Sequence, residues 1–310
     1  MNLSIQLAPK HQKGLLLANP VMTTSGTFGY GMEHNDLLDI QKLGAIACKG
    51  TTLKPREGNP QPRIAETPCG MLNAIGLQNI GVEALIKEKA PVWASWSVPV
   101  IVNIAGESID QYAQMAGKLE GVPGVSGIEV NISCPNIREG GAEFGINPGS
   151  AGKVTTAVKK NTSLPVMVKL TPNTGDIVGV ARAVAEAGAD AITLINTLKG
   201  MAIDIAARRP LLGNITGGLS GPAVKPVALR MVYDVATAVD VPVIGCGGIT
   251  TATDAIEFIM AGASAVQVGT AGLVNPHAPL EVLEGIERFM ETEGIEDIKE
   301  IIGMAGWRVS

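Results

Sequence analysis

The chain has 310 residues, 46% of them hydrophobic, and a formal net charge of −5. This length supports one large domain or two small ones with ample core. The mild acidity argues against nucleic acid or an anionic membrane as the main partner.

Segments 4–7 and 14–18 read as a hairpin that would close the lower end of a barrel. Short β-branched runs then recur at 20–23, 45–49, 100–104, 127–132, 166–170, 191–195, 241–245 and 265–268. Helical patterns lie between them, clearest at 177–187 (stopped by Gly188), 224–239 and 253–261. Aromatics are only 3% and glycines number 38, the texture of a buried parallel sheet with tight loops. Eight strands alternating with helices predict an α/β fold, a (β/α)8 barrel spanning 1–310 as a single domain. A doubly wound open sheet is the alternative, but Gly26-Thr-Phe-Gly-Tyr-Gly31 lacks the G-x-G-x-x-G spacing that fold favours. The long insertions 51–81 and 199–220 lack a helical pattern, are rich in Pro, Gly and Asn, and follow strand ends, so they would cover the mouth.

Four cysteines (Cys48, Cys69, Cys134, Cys246) include no C-x-x-C pair. No disulfide framework, metal site or iron–sulfur cluster is expected on this chain. No basic-then-apolar leader opens the sequence, and no run of about 18 apolar residues offers a membrane span. A cytoplasmic protein is the expectation.

In a barrel of this kind the chemistry sits at the C-terminal strand ends. Those ends read Ser25, Lys49, Asn103, Asn131 with Cys134, Lys169, Asn196-Thr197, Gly247-Gly248 and Gly269-Thr270. The glycine pairs after strands seven and eight suit a phosphate, which needs close approach to backbone N–H groups; tight turns alone are the plainer reading. Asn73, Asn131 and Asn196 can complement a ring of alternating C=O and N–H groups, such as a pyrimidine. A turn residue is the simpler account of Asn73. Lys49 and Lys169 could form a Schiff base or supply fixed positive charge. Cys134, within Asn131-Ile-Ser-Cys-Pro-Asn136, suits a base or nucleophile, with a half-buried structural cysteine as the plainer reading of a lone thiol. His11, His34 and His277 lie outside this set, which raises the standing of the thiol. The glycine-rich stretch 136–145 after it fits a flap that excludes water.

Taken with Cys48-Lys-Gly-Thr-Thr-Leu, Arg56-Glu-Gly-Asn-Pro60, Gly70-Met-Leu-Asn-Ala-Ile-Gly-Leu-Gln-Asn79, Gly217-Gly-Leu-Ser-Gly221 and Gly245-Cys-Gly-Gly-Ile249, the hexapeptide gives the chain a specific likeness. It resembles the catalytic subunit of a class 1 dihydroorotate dehydrogenase, more closely the type B, NAD-linked form, through nearly its whole length. The resemblance implies an FMN-binding barrel. It places the flavin against Ser25, Lys49, Gly50, Asn103, Asn131, Lys169, Ile195, Gly221, Gly247, Gly248, Gly269 and Thr270. It places the substrate, dihydroorotate, against Lys49, Asn73, Ala74, Ile75, Gly76, Leu77, Asn131, Asn196 and Thr197, with Asn136 as a further anchor for the ring. It makes Cys134 the base that takes a proton from C5 while C6 gives hydride to FMN, yielding orotate for pyrimidine synthesis. Lys54 stands where the family leads one to expect an acidic residue, away from the inferred site.

This chain shows neither a dinucleotide fingerprint nor a cysteine cluster, so electrons must leave to a soluble acceptor or another subunit. The resemblance implies a partner subunit carrying FAD and a [2Fe–2S] cluster, in a heterotetramer built on a catalytic homodimer. Trp93, Trp96 and Trp307 are candidate interface anchors. The alternatives are a type A, fumarate-linked enzyme, a Schiff-base aldolase barrel, and a non-catalytic flavin or phosphate-binding barrel. A tRNA dihydrouridine synthase would want a basic face, which the net charge disfavours.

Overall fold

Eight short apolar strands form the frame: β1 (Val21–Thr23), β2 (Ile46–Thr51), β3 (Val100–Ile104), β4 (Gly127–Asn131), β5 (Val166–Lys169), β6 (Ala191–Leu194), β7 (Val243–Cys246) and β8 (Ala263–Val268). They belong to a computed structural model that describes residues 1–133, 135–136 and 142–306. All pair in parallel, in the order β1-β8-β7-β6-β5-β4-β3-β2. The ends of this sheet then meet. Met22 bridges Ala45, the Thr23 N–H donates to the Ala45 carbonyl (3.2 Å), and the Gly44 N–H donates to that of Val21 (2.8 Å). Closure makes a (β/α)8 barrel and sets aside the open sheet. Residues 4–7 and 14–18 do form a hairpin, with Ile5 opposite Leu17 and Gln6 opposite Leu16.

Parallel neighbours need a crossover, and helices supply it. Five of them are α1 (Ile109–Leu119), α2 (Pro148–Lys160), α3 (Ile177–Glu186), α4 (Lys225–Ala236) and α5 (Ala252–Met260), while α6 (Ala278–Glu293) follows β8. Their buried positions repeat at i, i+3, i+4, i+7: Tyr112, Met115, Ala116 and Leu119 in α1, and Ile177, Val180, Ala181 and Val184 in α3. Each buried Val, Leu, Ile or Met among them contributes about 1.5–3 kcal/mol by leaving water. Ser108, Asn147 and Asp176 cap the starts of α1, α2 and α3 through their side-chain oxygens. Between β2 and β3 the chain coils through residues 82–93. A π-helical segment, Leu85–Lys89, sits just before Pro91, which has no N–H for the regular ladder.

Some expected boundaries move. The strand placed at 241–245 begins only at Val243, because Pro242 cannot donate to the ladder. The helix placed at 224–239 is a 3-10 turn, Pro222–Val224, followed by α4, which ends at Ala236. The two long insertions carry an unforeseen four-stranded antiparallel sheet, ordered Leu198–Met201, Thr216–Ser220, Gly70–Asn73, Ile64–Thr67. Trp93 is corrected as an interface anchor: it is 1% exposed, and its indole N–H donates to the Tyr30 carbonyl. Trp307 lies outside the described residues.

The barrel seam yields a test. A Cβ on Gly44 would lie 2.0 Å from the Asn19 carbonyl oxygen and 3.0 Å from that of Val21. Gly44→Ala is expected to force β1 and β2 apart and to lower stability by about 1–3 kcal/mol, read as a shift in the denaturant midpoint.

Candidate active site

Parallel closure brings every strand's C-terminal end to one rim, and a cavity of about 870 Å³ opens there. That volume suits a bound small molecule. Ser25 follows β1, Lys49 and Gly50 belong to β2, Asn103 to β3, Asn131 ends β4 and Lys169 ends β5. Ile195, Asn196 and Thr197 follow β6, Gly247 and Gly248 follow β7, and Gly269 and Thr270 follow β8. The four-stranded sheet adds Asn73, the segment after it adds Ala74, Ile75, Gly76 and Leu77, and Gly221 enters before α4. All of these residues line this cavity. Cys134 lies outside the described residues, as do 137–141 of the stretch read as a flap. Asn136 pairs with Ala142 through the backbone.

Local irregularity aims several of these groups. The β2–β3 register shifts between Cys48 and Thr51, so Lys49 and Gly50 form a bulge that turns Lys49 toward the mouth. Partial burial draws the Lys49 ammonium below its ordinary pKa, and Glu33 offsets part of this. Asn131 Oδ1 accepts from the Ser133 N–H (3.1 Å) and from Asn196 Nδ2 (3.2 Å). Asn196 Nδ2 also donates to Ser133 Oγ at 2.9 Å. Asn73 Nδ2 reaches the Gly218 carbonyl at 3.3 Å. The carboxamides are therefore held in fixed orientations rather than turning freely in solvent.

Below the rim the lumen is polar. Asn103, Glu129, Lys169, Thr193 and Gln267 are each no more than 3% exposed. The Glu129 side chain accepts from Asn103 Nδ2 (2.7 Å), Gln267 Nε2 (2.8 Å) and Thr193 Oγ1 (3.0 Å). Lys169 Nζ donates to Gln267 Oε1 at 2.9 Å and lies 3.9 Å from Glu129. Burial works against the Lys169 ammonium, but Cys246 and Glu129 outweigh it and hold the pKa above its ordinary value. Glu129 and Gln267 were not read as site residues. The signal was present: each is polar in an otherwise apolar run, two positions before a rim residue and so on the same strand face. Asn173 was missed too. It ties the Thr197 carbonyl, the Thr171 hydroxyl and the Lys199 N–H together.

Gly247 (φ 123°) and Gly248 (φ 80°) adopt conformations that side-chain-bearing residues rarely take. Behind this turn Asp254 accepts from the N–H and hydroxyl of both Thr250 and Thr251, and from Lys225 Nζ at 2.6 Å. Burial would raise its carboxyl pKa, but these donors reverse the effect and hold it well below the usual carboxylate range. The cavity fits a flat polar ring with an anionic tail: a bare-backbone turn at one side, two lysines, and a buried acceptor, Asn103 Oδ1, lacking a partner among the described residues.

A barrel with its polar groups gathered on this rim has the form of a small-molecule enzyme. Residues 9–290 match the family model for dihydroorotate dehydrogenase. The chain is 59% identical to the "Dihydroorotate dehydrogenase B (NAD(+)), catalytic subunit" of Pelobacter propionicus, over 94% of this chain and 95% of that one. It is 56% identical to the protein of the same name from Geotalea uraniireducens, over 97% of each. The one from Thermoanaerobacter sp. is 55% identical, over 98% of each. A crystal structure of DHODH from Eimeria tenella in complex with ferulenol superposes with a TM-score of 0.78 at 23% identity, covering 97% of this chain and 88% of that one, which shows the shared fold. The chain belongs to the dihydroorotate dehydrogenase family.

Asp254 gives a pH-dependent prediction. Its folded-state pKa is below the unfolded value of about 3.9. Its stabilisation is therefore present above that value and is lost as pH falls through the folded one. Asp254→Asn is expected to cost about 1–3 kcal/mol at neutral pH. Paired melting curves should converge as the medium is acidified below about pH 4.

Proposed function

We propose that this chain oxidises dihydroorotate to orotate in pyrimidine synthesis as the FMN-containing catalytic subunit of an NAD-linked assembly. The observation that carries the reading is the convergence of Lys49, Lys169, Asn73, Asn131, Asn196 and the unpartnered Asn103 carbonyl on one rim cavity beside the Gly247-Gly248 turn. The names borne by relatives more than half identical support the same reaction and the NAD-linked form.

On this reading the barrel domain, 1–310, holds FMN through Ser25, Lys49, Gly50, Asn103, Asn131, Lys169, Ile195, Gly221, Gly247, Gly248, Gly269 and Thr270. When bound, FMN supplies the acceptor for the hydride leaving C6 of the substrate. Lys49 balances the substrate carboxylate. Asn73, Asn131 and Asn196 read the ring edges as donors and acceptors, while Ala74, Ile75, Gly76, Leu77 and Thr197 wall it in. Cys134 takes the C5 proton. A thiol titrates near about 8.5 when unperturbed, so the base form gains as pH rises through that value. The Schiff-base alternative is not favoured, because the family match and the relatives more than half identical are dihydroorotate dehydrogenases.

Electrons leave through a partner subunit carrying FAD and a [2Fe–2S] cluster, in a heterotetramer built on a catalytic homodimer. No helix among the described residues is long and apolar enough to cross a membrane, which suits the cytoplasmic setting proposed here.

The decisive experiment is the visible spectrum of the purified chain. Yellow colour that bleaches anaerobically on adding dihydroorotate supports the reading; a colourless protein, or flavin that dihydroorotate leaves oxidised, overturns it. Cys134→Ala is expected to lower turnover about 10²–10⁴-fold while the flavin absorbance stays. Near-normal turnover in that variant would remove Cys134 from its role. NAD reduction that requires the copurified partner, with no fumarate reduction by the isolated chain, separates the type B from the type A form.

A further inference from the structure

A carboxylate in the middle of a barrel is unfavourable unless its charge and lone pairs are met, and the reaction proposed above does not use Glu129. Its hydrogen bonds show what it can do. Glu129 Oε1 accepts from Asn103, and Oε2 accepts from Thr193 and Gln267. An ionised carboxylate only accepts, so each carboxamide beside it must turn its NH2 inward. Asn103 then presents its oxygen elsewhere, and that oxygen is buried without a partner among the described residues. A Cβ on Gly50, a cavity-lining residue, would come within 3.0 Å of it. Gln267 likewise turns its oxygen to Lys169 Nζ at 2.9 Å.

We propose that Glu129 is a positioning residue that sets the hydrogen-bond polarity of the cavity floor, obliging Asn103 to offer an acceptor to an N–H of the bound flavin. The proposal rests on the FMN reading above and goes beyond it. Neither Asn103 nor Gln267 carries any preference for one amide orientation by itself; the acceptor-only group between them decides both. The competing account is that Glu129 is simply a counter-charge for Lys169.

Two variants separate these accounts. Glu129→Gln removes the charge and gives position 129 a donor of its own, so Asn103 can turn either way. The swap Glu129→Gln with Gln267→Glu keeps the lumen's charge and volume and places the carboxylate where Lys169 already donates, yet leaves Asn103 facing an amide. The flavin-stripped chain is titrated with FMN, with quenching of flavin fluorescence as the readout and circular dichroism as the check on folding. Both variants are expected to bind FMN about tenfold or more weakly while remaining folded. Wild-type affinity in either variant overturns the proposal; recovery in the swap alone establishes the counter-charge account. If Glu129→Gln does not fold, the swap decides. If neither folds, Glu129 serves the barrel rather than the ligand, and the proposal fails. A wild-type chain that takes up no FMN is a different result: it sinks the cofactor reading itself.

Discussion

Parallel pairing is the constraint from which the rest of this molecule follows. Eight strands running the same way deliver eight C-terminal ends to one rim. Every return to the other end must be made by a crossover outside the ring, and most of these are helices. Polar residues can then collect at the rim without breaking the apolar layer between sheet and helices. The closing contacts from Ala45 and Gly44 to β1 turn this arrangement from a row into a ring, which is what lets Lys49 on β2 and Ser25 after β1 face the same cavity.

The lumen divides its polar groups by depth. Alternation along β4 puts Glu129 and Asn131 on one face, one beneath the other. The deeper residue meets only protein groups, and the upper one meets the cavity. Asp254 does comparable work outside the ring, gathering four donors from Thr250 and Thr251 behind the Gly247-Gly248 turn. The two carboxylates share a strategy: each fixes the orientation of neighbours that line the cavity more closely than it does itself. Among the described residues lining the cavity there is no histidine; His34 instead stacks on Phe28, with ring centres 3.9 Å apart.

Much of this was legible in the chain. Runs such as Val100–Ile104 and Val166–Lys169 are buried on both faces, so their β-branched residues stand out without alternation. The helix stripes were equally plain, as in Ile177, Val180, Ala181 and Val184. Carboxamides and lysines ending apolar runs marked the rim. The antiparallel sheet over the mouth was hidden because Gly70, Gly200, Gly217 and Gly218 carry no side chains from which a period of two could be read. Glu129 and Gln267 were passed over for another reason. They lie one layer below the strand ends, outside the pattern that marks the rim. Trp93 misled through composition, since a scarce large aromatic suggests an interface, yet this one packs inside with its N–H satisfied.

That covering sheet has a consequence for how the protein is made. Its middle pair joins Asn73 to Gly218, which lie 145 residues apart in sequence. The first hairpin leaves the ribosome long before its partner strand exists. The roof of the cavity is therefore completed only after the fifth and sixth barrel strands have been synthesised. A nascent or truncated chain that stops short of residue 216 carries half a roof, with the edge of the Gly70–Asn73 strand unpaired on that side. Such an edge is the surface that stray strands seek. Closure of the roof and protection of that edge from misassociation thus arrive together, in one pairing event.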